Sequence, residues 1–287
     1  MSVQWATATG FGAILLWSSL ALMTAASGTM PPFELAAITF LIGGMLGVPT
    51  LMRHPEGLGL LRQPPAVWML GIGGLFLYHA VYFAALRLAP PAEAGLIAYL
   101  WPLLIVMLSA FLPGERLRMG HIVGALAGFS GVALLLGARQ DGLGFEQRYI
   151  LGYALAFCCA FIWSGYSLLS RRNRDVPSEL VAAFCLGTSA LSMIAHLAFE
   201  TTVWPQVTSQ WLAILGLGLG PVGAAFYLWD RGVKLGDIKL LGVTSYAAPV
   251  LSTLLLIASG YAQFSLSLAF AALLIVGGAL LATKANA

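Results

Sequence analysis

Apolar residues in this chain come in long unbroken runs, not in the alternation of a strand or the narrow stripe of a surface helix. Ten runs can be read, over residues 3–26, 33–52, 66–87, 92–112, 119–137, 149–170, 178–199, 210–232, 238–259 and 265–283. Each is close to the roughly twenty residues a helix needs to cross a hydrocarbon core. The breaks carry turn chemistry: Met30-Pro31-Pro32, Gln63-Pro64-Pro65, Pro90-Pro91, Pro113-Gly114, Asp141-Gly142 and Trp204-Pro205. Strands of a membrane barrel would instead alternate polar and apolar over about ten residues. The pattern predicts an all-α integral membrane protein with ten transmembrane helices.

The positive charges give that count a direction. With the N-terminus inside, the cytoplasmic connections hold Arg53, Arg62, Arg116, Arg118, Arg171, Arg172, Arg174, Arg231, Lys234, Lys239 and Lys284. The opposite side holds only Arg87, Arg139 and Arg148. Such asymmetry favours cytoplasmic N and C termini. An ordered set of echoes also predicts an internal repeat. Trp17-Ser18-Ser19 in the first run matches Trp163-Ser164-Gly165 in the sixth, Trp68 opens the third as Trp211 opens the eighth, and Pro102 in the fourth answers Pro249 in the ninth. A repeat of five spans has an odd count, so its copies enter the membrane in opposite directions, an arrangement frequent in secondary transporters. The expected division is 1–140 and 141–287, two inverted five-helix repeats forming one membrane domain.

Composition narrows the class further. Of 287 residues, 9% are charged and 60% hydrophobic, with a mean hydropathy of +0.90. Such a chain could not give a soluble globule a polar surface. The net charge of +3 forms no basic patch with interleaved aromatics, so nucleic acid is not an expected partner. Cys158, Cys159 and Cys185 lie in apolar runs without metal-finger spacing and are expected to be reduced core residues. No basic segment precedes the first run, so it is expected to be a retained span and not a signal peptide. There is no GxxxxGK[ST], HExxH or EF-hand loop, and no cofactor or metal is expected. The string Gly218-Leu219-Gly220-Pro221-Val222-Gly223 fits GxGxxG but sits inside an apolar run, where Pro221 predicts a kink instead. Gly120, Gly124 and Gly128 form a small-residue stripe suited to close helix packing within the monomer.

Candidate chemistry lies deep in the runs. Tyr78 and Tyr82 are i, i+4 and share a helix face, with His79 about a hundred degrees round it. An ionisable residue at that depth is either a neutral, hydrogen-bonded packing residue or part of a site. Tyr99 and Trp101 flank the helix-breaking Pro102, and the sixth run adds Trp163. These aromatics either pack in the core or wall a cavity. Trp5, Trp68, Trp204 and Trp211 fit the interfacial belt. No Asp or Glu falls at mid-membrane, which argues against a proton-coupled exporter of organic cations. A zwitterionic or neutral solute held by hydroxyls, exposed backbone and aromatic faces fits better.

The most specific stretch runs from Ala98-Tyr99-Leu100-Trp101-Pro102 through Gly114-Glu115-Arg116 to Gly124 and Gly131. On it, and over nearly the whole length, the chain resembles the EamA-type drug/metabolite transporters. In that family a Pro within the fourth helix is followed by Gly-Glu just before the fifth. The second half departs, reading Gly260-Tyr261-Ala262-Gln263 where the Glu would stand. The segments Tyr78-His79-x-x-Tyr82 and Tyr99-x-Trp101-Pro102 are similar to those of amino-acid exporters within the superfamily. The resemblance implies a basket of splayed helices around a central cavity and export of amino acids, aromatic and other neutral ones, across the bacterial inner membrane. Tyr78, His79, Tyr82, Tyr99, Trp101, Pro102 and Trp163 are the expected substrate-binding residues of a monomer working by alternating access. An exporter of another small metabolite or drug, or a channel-like pore, are the alternatives. An intramembrane enzyme would need a nucleophile–base or carboxylate pair at depth, and the sequence offers neither.

Overall fold

The computed structural model describes residues 2–138, 145–260 and 263–286. Every regular element among them is helical. Ten spans are long and apolar enough to cross a bilayer: Val3–Ala26, Pro32–Arg53, Pro65–Leu88, Glu93–Phe111, Met119–Gly137, Gln147–Arg172, Ser178–Phe199, Thr208–Leu235, Ile238–Ala258 and Leu266–Ala285. These agree with the apolar runs to within three residues at either end. The Pro-Pro breaks become helix starts. Pro32, Pro65 and Pro91 each occupy the first helical position, where a missing N–H costs nothing. The Asp141-Gly142 turn, Arg139 and the expected 140/141 boundary lie outside the described residues, as do Tyr261 and Ala262.

The four most extensively packed pairs join the first span to the eighth, the second to the seventh, the third to the sixth and the fifth to the tenth. Exchanging every span with the one five places along maps this set onto itself. Second–seventh and fifth–tenth are self-paired, and first–eighth becomes sixth–third. The pairing is that of two repeats interlocked as one domain, with every major contact crossing between halves.

Two pairs form a close frame. Between the fifth and tenth spans, a Cβ on either Gly124 or Gly278 would fall 2.5 Å from the other's carbonyl oxygen, so only glycine allows this approach. Gly120 faces Ala285, and Gly128 lies under the Tyr246 ring, so the whole stripe is used inside the chain. Between the second and seventh spans, Glu200 accepts hydrogen bonds from the N–H groups of Phe33 (3.1 Å) and Glu34 (3.2 Å), capping one helix from the end of the other. His196 Nδ1, at 3.1 Å, and Arg87, at 3.3 Å, complete this cluster.

Five spans are interrupted. In the first, Ser18 and Ser19 hydroxyls donate to the carbonyls of Leu15 and Leu16, and the helix restarts at Leu20. The third and eighth contain π turns at Met69–Gly73 and Gly220–Ala224, the second of them at Pro221 as expected. The fourth breaks at Tyr99-Leu100 and the ninth at Ser245-Tyr246, each two to four residues before a proline. The outer surface is apolar, with Trp5, Phe111, Phe199 and Leu266 strongly exposed, as lipid contact requires. Cys158 belongs to this outer face, which corrects its expected place in the core; Cys159 and Cys185 are buried.

Candidate functional site

A cavity of about 160 Å³ lies between the halves. Its wall is made by all five interrupted spans together with the sixth. Broken helices thus surround it, because only there does a lining of free backbone and polar rings meet space instead of lipid. The lining residues of the third and fourth spans, Tyr78, His79, Tyr82, Ala98 and Tyr99, sit near the connection joining those spans. The cavity therefore opens to the face opposite the chain termini.

Six of the seven expected site residues line it: Tyr78, His79, Tyr82, Tyr99, Trp101 and Trp163. Pro102 does not. It is buried behind the wall at the start of the second half of its span, where it maintains the break. The Leu103 N–H beside it donates to the Tyr246 hydroxyl at 3.1 Å. Tyr246 is fully buried and ties the two breaks together. Residues not singled out as binding groups are also brought in, among them Trp17, Phe226, Val222 and Ala248. Trp17 carried a signal, as the repeat partner of Trp163. The other three are apolar residues in apolar runs and carried none.

The geometry is one of aromatic faces. Tyr78 and Tyr82 are stacked, with centroids 5.9 Å apart and planes at 8°. Trp163 is the hub of the floor, with Trp17 at 5.6 Å, Tyr78 at 5.2 Å, Trp101 at 6.3 Å, Trp229 at 6.2 Å and Tyr166 at 5.3 Å. Trp17 donates its indole N–H to the Pro221 carbonyl at 3.0 Å, and Trp229 donates to the Ser167 hydroxyl at 3.1 Å. His79 Nδ1 lies 2.8 Å from the Leu75 carbonyl. A carbonyl only accepts, so Nδ1 carries the hydrogen and a neutral ring keeps Nε2 as an acceptor. Among the described residues, no Asp, Glu, Lys or Arg lines the cavity.

Charge is concentrated on the terminus side instead. Arg171, at the end of the sixth span, donates to Glu115 at 2.5 Å and to the carbonyls of Val233 and Gly236 at 2.9 and 2.7 Å. Lys239, at the start of the ninth, donates to Glu115 at 2.8 Å and to the Arg116 carbonyl at 3.2 Å. Burial pushes the Glu115 carboxyl upward, but the Lys239 hydrogen bond and the Arg171 and Lys239 charges outweigh it and hold the group below its ordinary value. Glu115 is the Glu of the Gly-Glu string, and it joins the first half to the second. Asp230 and Lys234 are also buried, with Lys234 Nζ 2.7 Å from Asp230 Oδ2.

A charge-free aromatic cavity between two interlocked five-helix halves, open on one face and closed by rings and ion pairs on the other, defines a multi-pass membrane carrier. The chain belongs to the EamA-like transporter family, which matches residues 4–137 and again 150–284. It is 61% identical over 283 residues to "Aromatic amino acid exporter YddG" of Ancylobacter novellus, covering 99% of this chain and 98% of that one. The YddG exporter of Escherichia coli is 29% identical over 98% of this chain and 97% of its own length. "Pseudopaline exporter CntI" of Pseudomonas aeruginosa is 27% identical over 79% and 77% respectively. A solved crystal structure superimposes with a TM-score of 0.95 at 60% identity, covering 99% of this chain and 98% of that one. Ten helical spans and kinship with bacterial exporters make this a multi-pass protein of the bacterial inner membrane.

Proposed function

We propose that the protein exports aromatic and other neutral amino acids from the cytoplasm by alternating access, as a monomer and not as an enzyme. The observation supporting this is a charge-free, aromatic-walled cavity in a chain similar end to end to an exporter of that name. Both termini lie in the cytoplasm in this reading, following the Lys and Arg bias. The conformation described is then outward-open, with the cytoplasmic side closed by the Trp163 floor and the Glu115 cluster. The repeats 1–140 and 141–287 rock about the cavity.

Tyr78, His79, Tyr82 and Tyr99 hold the charged ends of the amino acid, with His79 Nε2 accepting from the α-ammonium. Trp101 and Trp163 offer ring edges and faces to the side chain. A cation–π contact is worth roughly 0.5–2 kcal/mol, so no single ring replaces a carboxylate. Retention is correspondingly modest, which suits a carrier that must release its load. Pro102 acts through the break it maintains.

Uptake of radiolabelled L-phenylalanine into liposomes, with unlabelled competitors, tests the reading. Saturable transport lost in Tyr99→Ala and Trp101→Ala is the expected result. No saturable transport of any amino acid overturns it. Linear, unsaturable flux supports a channel-like pore. The CntI relative gives a second reading some weight, export of another small metabolite, which displacement by non-amino-acid solutes alone would support.

A further inference from the structure

On the terminus side of the aromatic floor lies a second, much smaller pocket, of about 10 Å³ in this conformation. Its chemistry is the reverse of the first. Asp230 and Lys234, one turn apart on the eighth span, both line it, with side chains 2% and 5% exposed. Ser170, Asn173 and Tyr166 add polar groups. Lys234 also donates to the Val176 carbonyl at 2.8 Å, which leaves two of its three hydrogens for Asp230 or a ligand. The buried Tyr166 hydroxyl lies beside Ser170, and Asp230 Oδ2 faces Lys234 at 2.7 Å.

A buried ion pair is weak support for stability, because an apolar pair of the same volume does as well or better. In a membrane span such groups generally mark a solute pathway. Their arrangement here suits one solute type. A zwitterion inserted between a cation and an anion exchanges one ion pair for two and leaves the cavity neutral. The path onward is short. Tyr166 stacks on Trp163 with centroids 5.3 Å apart, and Trp163 is the floor of the central cavity. One aromatic layer separates the two spaces. In this conformation the pocket is closed down to room for about one water, and it would have to widen as the terminus-side face opens.

We propose that this cavity is a cytoplasmic loading site for the amino-acid zwitterion, Asp230 binding the α-ammonium and Lys234 the α-carboxylate. It rests on the export reading above. It supplies the charge recognition that the central cavity lacks, and does so on the side where substrate must be selected.

The test measures L-phenylalanine transport in inside-out and right-side-out membrane vesicles, so that each face is presented with substrate in turn. In the Asp230→Asn/Lys234→Gln double variant, the ratio of cytoplasmic to periplasmic KM rises at least about tenfold, the loss of one charge-assisted contact. Tyr166→Phe keeps the stacked ring and removes only the hydroxyl. It shifts the same ratio by about threefold, and it carries the test if the double variant fails to reach the membrane. In the parent protein, phenylalanine amide and phenylpropionate, each lacking one charge, compete at least about tenfold less well than phenylalanine from the cytoplasmic face. A KM ratio within about twofold of the parent, or equal KM rises at both faces, overturns the loading site. Absence of saturable transport in the parent protein overturns the export reading instead.

Discussion

Glu115→Gln isolates the closure on the terminus side. Glu115 holds Arg171 at 2.5 Å and Lys239 at 2.8 Å, and the three side chains are 13%, 22% and 9% exposed. Removing one partner of a fully buried pair costs about 3–5 kcal/mol. Partial exposure, and the carbonyl acceptors that Arg171 and Lys239 retain, reduce this to about 2 kcal/mol. Both Glu115 ion pairs span the two halves, so the loss falls on the closed state and shifts its balance with the open state by about thirtyfold. The assay places a single cysteine at Ser170, in a chain with Cys158, Cys159 and Cys185 replaced, and measures its labelling by an impermeant maleimide from the cytoplasmic side. The rate should rise by at least about tenfold in the variant. The carboxyl is held below its ordinary value in the folded protein, so its contribution is present above the carboxylate range and lost as pH falls through the lowered value. Parent labelling, normalised to a freely exposed cysteine at the same pH because only the thiolate reacts, should accordingly hold steady above the carboxylate range and climb only as pH falls through the lowered value. An unchanged labelling rate with a lowered melting temperature would make the cluster a static brace and refute the reasoning.

Other substitutions address the frame and the cavity. Gly124→Leu forces the fifth and tenth spans apart at a 2.5 Å contact and should lower stability by about 1–3 kcal/mol or more, read as a melting temperature in detergent. Trp17→Phe keeps the ring but strips the N–H from the Pro221 carbonyl, leaving a buried acceptor at a cost of about 1–3 kcal/mol. Its transport rate should fall while the protein still elutes as a folded species. His79→Leu should raise the L-phenylalanine KM by about tenfold, and His79→Gln, which restores an acceptor, should recover most of that loss.

The spans were legible because an apolar run long enough to cross a bilayer has few other uses, and because proline can begin a helix but not continue one cleanly. The cavity was legible for a related reason. Tyr78, His79, Tyr82 and Tyr99 carry polar atoms at a depth where lipid offers no partner, so they gather where the helices leave space. Phe226, Val222 and Ala248 share that wall, yet their types suit lipid, core and cavity equally. Asp230 and Lys234 look in sequence like ordinary charges near a helix end. Their burial comes from the third, sixth and seventh spans, which no local pattern reports. Tyr246 is illegible in the opposite sense. Its position three residues before a proline matches Tyr99, but the other half turns it inward against Gly128 and Leu103.

The division between broken and unbroken spans carries the functional argument furthest. The second, fifth, seventh and tenth spans are continuous, and they pair with one another across the halves through glycine contacts and a helix cap that leave little room to slide. The first, third, fourth, eighth and ninth are interrupted by Ser, Gly or Pro, and all five line the cavity. A carrier must change shape around its solute without dismantling its own packing. Placing the interruptions on the spans that line the cavity, while the frame spans stay helical even at Pro49 of the second, lets the lining spans bend while the frame persists. The sixth span is the exception, being continuous and also lining the cavity. It bears Trp163 for the floor, Tyr166 for the layer between the two cavities and Arg171 for the cytoplasmic cluster. A rigid rod joining those three points would tie the closing of the floor to the closing of the cytoplasmic face, so that one does not open without the other.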